Sequence, residues 1–399
     1  MRPEVERLPP VLQHGFRPFF LLGAVWAVLA LALWLSALAG VTLPTAMEPL
    51  AWHRHEMLFG YISAVIAAFL LTAVPNWTGG LPLRGKPLLW LVALWLAARL
   101  AVLAGARLGP WPGLVLDVGF LAVLAGVVAR EIVAGKNWRN LPVVTLVSLL
   151  ALADLLSHLE QVLTLPWDML GDRLAIGAVA GLVALIGGRI TPSFTTNWLK
   201  ARKAQALPAP VSRLDNGVLI LTALALLAWF FLPESAIAGL LLLAAAVGTA
   251  ARLARWQGAA TTSEPLLLIL HVGYAWLALA FALFGLAAFG IVPRSAALHA
   301  MTAGAFGTMT LAVMTRATLG HTGRALTADR WTSVIFVLVN VGALARVLAS
   351  LVPAAYTPAL HLAGLAWGGA FLLYILHYGP MLLGPRHVAK TGGAPAPAR

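Results

Sequence analysis

The stretch WHRHEMLFGYISAVIAAFLLTAV, Trp52 to Val74, places two histidines, an arginine and a glutamate in its first five residues and no charge after them. The 18 residues from Met57 to Val74 carry no ionisable side chain apart from Tyr61. A run of that length and character is read as a membrane-spanning helix, because about 20 apolar residues cross the hydrocarbon core. The polar cluster then sits at the mouth of the span. Two questions follow: what the rest of the chain looks like, and whether His53 and His55 serve one centre or two.

Working outward, eleven similar segments appear. The expected spans are 19–40, 53–74, 87–106, 112–133, 141–163, 172–190, 214–232, 236–254, 265–290, 296–318, 331–351 and 356–378. All are rich in Leu, Ala, Val and Gly. Such helices are apolar all round, so lipid is their solvent and every backbone polar group must be paired within the helix. The expected fold class is an all-α integral membrane protein, a bundle of twelve transmembrane helices. The chain is 61% hydrophobic and 10% charged, against roughly 25% charged in soluble domains. Its mean hydropathy is +0.89.

Charge orients the bundle. Of 27 Lys and Arg, 21 fall on the tails and even-numbered connections, four (Arg54, Arg107, Arg173 and Arg294) fall on the other side, and Arg99 and Arg346 lie within spans. That asymmetry is the positive-inside pattern and puts both termini in the cytoplasm. It also accounts for most of the +13 net charge without nucleic acid. The Ala37-x-Ala39 pattern after the first segment resembles a signal-peptidase site. The segment's length and the charge parity favour a retained span. The polar stretch 191–213 divides the chain into two six-span halves, about 1–190 and 214–379, within one membrane domain. No sequence repeat relates them. Residues 380–399 read as a tail, ending in a Gly/Pro/Ala-rich segment expected to be disordered.

The chain has no cysteine. Disulfides, iron–sulfur clusters and thiolate metal sites are excluded. Ionisable groups inside a membrane are costly and are functional candidates by default. On the topology above, the histidines form two layers. His53, His55, His158, His299 and His361 lie towards the outer face. His14, His271, His321 and His377 lie towards the inner face, and His387 is in the tail. Several histidines at one depth suit a haem or a copper ion, since imidazole ligates both iron and copper. The expected metal set is His53, His55, His158 and His299. The alternative for any one of them is a helix cap or a hydrogen bond to a carbonyl.

Helical geometry constrains the pairing. Residues two apart point about 200° apart. A regular helix therefore keeps His53 and His55 from one metal unless the first turn is unwound. His299 and His321 share a face but lie about 33 Å apart, so they cannot share one iron. Asp154 and His158 are four residues apart and can hydrogen-bond, which suits a carboxylate orienting a ligating imidazole. Glu56 could do the same for His53 or carry protons; the plainer reading is an ion pair with Arg54 or Arg294. Glu56 and Asp154 are thus the candidate proton donors, with Glu160 behind them. Arg17, Arg189, Arg316 and Arg324 surround the inner layer of His14, His271 and His321. They could clamp haem propionates or serve as ordinary membrane anchors.

Six motifs now stand together: HGFRPFF (His14–Phe20), WHRHEMLFG (Trp52–Gly60), AVPNWTG (Ala73–Gly79), GGRITPSFTTN (Gly187–Asn197), LHVGYAW (Leu270–Trp276) and ALHAMTAGAFGTMTLAVMTRATLGHTGR (Ala297–Arg324). In this order, over essentially the whole chain, they resemble the NnrS family. The resemblance implies a bacterial inner-membrane protein that holds haem and copper and is tied to denitrification or defence against nitric oxide. It carries to His14, His53, His55, His158, His271, His299 and His321, and to Arg17, Glu56, Asn76, Arg189, Asn197, Arg316 and Arg324. His361, His377 and His387 lie outside its motifs. It does not say which histidine binds which cofactor.

The expected function is a redox protein with haem b and copper that acts on nitric oxide, drawing on an unknown electron donor and embedded in a lipid bilayer. Its enzymatic form would be a nitric oxide reductase-type oxidoreductase. Two other classes are open at this point: a twelve-helix secondary transporter with a histidine proton or metal-ion path, and a bis-His cytochrome b that only passes electrons.

Overall fold

A computed structural model describes residues 8–387. The expected disordered end, Thr391–Arg399, and the basic residues Arg2 and Arg7 lie outside the described residues. Twelve helices are long and apolar enough to cross a membrane: α1 (Phe16–Leu38), α2 (Pro49–Thr78), α3 (Lys86–Leu103), α4 (Trp111–Ala134), α5 (Trp138–Val162), α6 (Leu170–Ala201), α7 (Arg213–Phe231), α8 (Ala236–Ala254), α9 (Pro265–Ala288), α10 (Arg294–His321), α11 (Arg330–Leu351) and α12 (Pro353–Leu383). Among the described residues there is no strand. The chain is an all-helical, multi-pass membrane protein.

The helices differ in how much they face the surroundings. The apolar windows of α2 and α9 are 72% buried and that of α10 is 67%, whereas α7 is only 28% buried. The histidine-bearing helices α2, α9 and α10 are therefore central, and α7 meets lipid. Leu224, Leu227 and Phe231 on α7 are accordingly exposed. In a bilayer such exposure costs nothing, because lipid is as apolar as the side chains. Helix α1 packs on both α2 and α12, bringing the first and last spans together. Arg17 ties the junction by donating to the carbonyls of Leu382 at 2.9 Å and Gly384 at 2.6 Å, unpaired acceptors at the C-terminal end of α12. Small residues allow close helix approach. A Cβ on Gly342 of α11 would lie 2.6 Å from the backbone nitrogen of Trp367 on α12.

Three of the central helices contain a wide π-helical turn: Glu56–Ile62 in α2, Val183–Gly187 in α6 and Ala300–Phe306 in α10. Such turns displace the i→i−4 ladder and concentrate at functional sites. In α2 the Gly60 carbonyl accepts from Trp95 Nε1 at 3.1 Å and from Ser63 Oγ at 3.2 Å. The unwinding thus hands a backbone acceptor to a neighbouring helix, without leaving it unpaired.

The stretch expected as a polar connection from residue 191 is instead helical through Ala201. TPSFTTN continues α6 because one of its faces is buried. Thr191, Thr195 and Leu199 lie inside, four residues apart. Thr196 Oγ1 returns its proton to the Pro192 carbonyl at 2.7 Å. The connection itself is residues 202–212. It ends in a capping box in which Ser212 and Asp215 start α7. Helix α12 likewise runs beyond the expected boundary, to Leu383.

Candidate metal centre

The polar turn at the head of α2 feeds a buried cluster built by α1 to α5. His55 comes from α2, Asp117 from α4, and Asp154 and His158 from adjacent turns of α5. All four side chains are at most 1% exposed. One ligand atom from each lies within 4.8 Å of all the others. His55 Nε2 is 3.1 Å from His158 Nε2, 3.2 Å from Asp154 Oδ1 and 3.5 Å from Asp117 Oδ2. His158 Nε2 is 3.7 Å from each of the two carboxylates. Donors about 2.0–2.1 Å from a shared tetrahedral ion stand roughly 3.3 Å apart, so these separations match a common metal.

A second layer fixes the first. Glu56 is fully buried. Its Oε2 accepts from Arg99 Nη1 at 2.7 Å and from Trp26 Nε1 at 2.6 Å. Its Oε1 lies 3.3 Å from His55 Nδ1. With Nδ1–H donating to Glu56, the Nε2 lone pair of His55 faces the cluster, the tautomer a ligand needs. Arg99 reaches across with its other branch and ion-pairs with Asp117. One guanidinium from α3 thereby holds a carboxylate on α2 and another on α4. Such a bidentate fork is the property that separates Arg from Lys.

Gly60 makes this layer possible. A Cβ there would lie 2.6 Å from Trp26 Nε1 and 2.7 Å from Glu56 Oε2. The space at Gly60 is taken by an indole and a carboxylate. At the rim, Arg54 pairs with Asp172 at 2.7 Å, and Asp172 accepts from Ser157 at 3.2 Å, joining α2, α5 and α6 beside His158.

The four histidines expected to share one centre are divided. His55 and His158 meet. His53 leaves the same turn on another side and stacks on Trp34, with ring centroids 4.7 Å apart at 12°. His299 and Arg346 lie near it. His299 donates Nδ1–H to the Ser295 carbonyl at 2.7 Å. Asp154, expected to orient His158, is itself in the ligand set. Glu56 pairs with Arg99, while Arg54 and Arg294 go to Asp172 and Asp168. Glu160 accepts from the Met169 backbone at 2.8 Å and closes the α5–α6 connection.

At the opposite end, Phe16 lies between His14 and His321, 6.0 Å and 5.3 Å from their rings. Burial and the cations of Arg17, Arg84 and Arg386, with His321, lower the His14 pKa to about 4. His14 is thus a neutral imidazole at ordinary pH. Arg17 Nε and Arg324 Nη1 are buried without a hydrogen-bond partner among the described residues. His271 is apart, bonded through Nε2 to Thr195 Oγ1 at 3.0 Å. Arg189 donates to Asn140 at 2.8 Å and Arg316 stacks over Phe194. Asn76 donates to the Thr72 carbonyl within its own helix.

The sequence reading missed Asp117 and left Arg99 without a role. The signal was present: GLVLDVGFL (Gly113–Leu121) and LWLAARLAVL (Leu94–Leu103) each hold one charge inside an apolar run, and such charges are kept for a partner.

A family model described as NnrS protein matches residues 10–386. None of the curated proteins compared with the chain matches it. The match covers nearly the whole described chain, from just before α1 to just past α12, and on it the chain belongs to the NnrS family.

Proposed function

We propose that this chain is a haem- and copper-binding redox protein of the bacterial inner membrane that acts on nitric oxide, by reduction or detoxification. Membership of the NnrS family ties it to nitric oxide metabolism. The observation that carries the redox reading is the cluster of His55, Asp117, Asp154 and His158, buried inside a membrane bundle. The Oδ2 atoms of Asp117 and Asp154 have no hydrogen-bond partner among the described residues. Buried carboxylate oxygens in that condition cost several kcal/mol unless a cation satisfies them. The donor set therefore fits a metal, and copper accepts imidazole and carboxylate donors in its divalent state.

The other end fits the anionic edge of a haem. His14 and His321 supply imidazoles, and the orphaned nitrogens of Arg17 and Arg324 supply donors for propionates. The Nη1 group of Arg17 is already committed to α12, so its part is smaller. The charge asymmetry supports a cytoplasmic position for this end and both termini.

A bound metal ion at the outer centre would supply an electron-accepting, Lewis-acidic contact for a nitrogen oxide. The protein's own groups do the rest. Glu56 holds His55 in its ligating tautomer. Arg99 fixes Glu56 and Asp117. The closed packing of α1 to α5 excludes water. Nitric oxide is small and apolar, so it reaches such a site through lipid. Protons would come through Glu56, the carboxylate that borders the centre through His55 Nδ1.

The test is metal analysis with an absorbance spectrum of protein purified from the membrane, followed by anaerobic consumption of nitric oxide with a reductant. Copper, a Soret band and consumption are expected. Protein that carries neither metal nor haem after expression with both supplied sinks the reading.

A further inference from the structure

The charges around the outer centre do not balance. Asp117, Asp154 and Glu56 are fully buried, and so is Arg99. Among the described residues Arg99 is the one guanidinium in contact with them: Nη1 on Glu56 and Nη2 on Asp117. With both imidazoles neutral, as metal ligands must be, three ionised carboxylates and one guanidinium leave two negative charges, which two protons on the rings or one divalent ion would close. The next cation outward, Arg54, is already neutralised by Asp172. An excess of two charges at a membrane-buried site is prohibitive without a counter-charge. The oxygens that carry it face the two Nε2 atoms, not solvent.

We infer that His55, Asp117, Asp154 and His158 form a site selective for a divalent first-row cation over a monovalent one, with Arg99 and Glu56 as positioning residues. A divalent ion closes the charge and a monovalent ion leaves it open. The donors agree: two nitrogens and two hard oxygens, without sulfur, suit divalent zinc, cobalt, iron, manganese or copper and disfavour cuprous ion. If copper is the resident metal, the site holds it more tightly oxidised than reduced. The inference rests on reading these four side chains as a metal centre; it does not need the nitric oxide reaction.

The experiment titrates chelator-stripped, full-length protein in detergent with Co²⁺ and, anaerobically, with Cu⁺. One Co²⁺ should bind with the intense visible absorption of a tetrahedral N/O site, displaceable by Zn²⁺. Asp117→Asn and Asp154→Asn should each weaken Co²⁺ by more than about 100-fold, beyond the effect typical of outer partners. Glu56→Gln and Arg99→Lys should weaken it by about 10–100-fold and shift the absorption bands, which a merely structural role would not do. His53→Ala, outside the cluster, should leave the Co²⁺ spectrum unchanged and serves as the folding control. Cu⁺ binding that is tighter than Co²⁺ binding overturns the inference. So does Co²⁺ binding that survives both substitutions. Normal Co²⁺ behaviour without nitric oxide consumption leaves this inference standing and removes the proposed function instead.

Discussion

The Nε2 atoms of His55 and His158 face each other at 3.1 Å across the α2–α5 contact. Two imidazole lone pairs at that distance need a proton or a metal between them. His158→Gln should therefore abolish metal binding at the His55–His158 centre, while His53→Gln retains it. Metal content after purification under identical loading distinguishes them. Equal loss in both variants contradicts the division of the two histidines between separate environments.

Arg99 holds carboxylates on two helices, so its removal strands both. Arg99→Met should destabilise the protein by about 3–5 kcal/mol, the usual consequence of breaking one partner out of a buried ionic network. Adding Glu56→Gln should recover part of that loss, because one stranded charge disappears. Thermal unfolding in detergent, scored for the single and double variants, provides the measurement. A double variant less stable than Arg99→Met would mean the two groups are not coupled in this way.

Gly60 is reserved for the Trp26–Glu56 hydrogen bond. Gly60→Ala pushes a methyl group into that contact and should cost about 1–3 kcal/mol, as overpacking does. It should also lower metal affinity through His55. Trp26→Phe in the same background relieves the crowding and should restore stability without restoring affinity. Wild-type stability in Gly60→Ala alone would show that α1 yields easily.

His14 gives a pH dependence with a defined sign. Burial, followed by Arg17, Arg84, His321 and Arg386, lowers its pKa to about 4, below the ordinary 6.5. Between those values the unfolded chain takes up a proton that the folded chain refuses. Stability of the haem-free protein should fall as pH drops from 6.5 to about 4 and flatten below that. His14→Gln should show a smaller difference in unfolding temperature between pH 7 and pH 4.5. An unchanged difference would place the acid sensitivity elsewhere.

Much of this molecule is legible in the sequence. Twelve spans could be counted because lipid imposes a length and forbids unpaired backbone, and those constraints act on each segment by itself. The period of the helix separates His53 from His55 in the same local way. The exceptions are informative. TPSFTTN reads as a connection because polar residues are counted without their partners. In the fold Thr196 bonds within α6 and Thr195 to His271, so the helix continues.

The centre itself was decided by tertiary structure. Asp117 and Arg99 are single charges in separate apolar runs. Sequence shows that each must be paired but not with what, since a buried charge is satisfied by whichever helix packs beside it. His158 and Asp154 share a face of α5 by spacing alone, whereas their meeting with His55 depends on how α2 lies against α5 and on the wide turn after His55. The sequence by itself determined the membrane helices and the inventory of costly groups. Packing chose the partners, because electrostatic pairing in a low-dielectric interior depends on ångström-scale distance that no local pattern encodes.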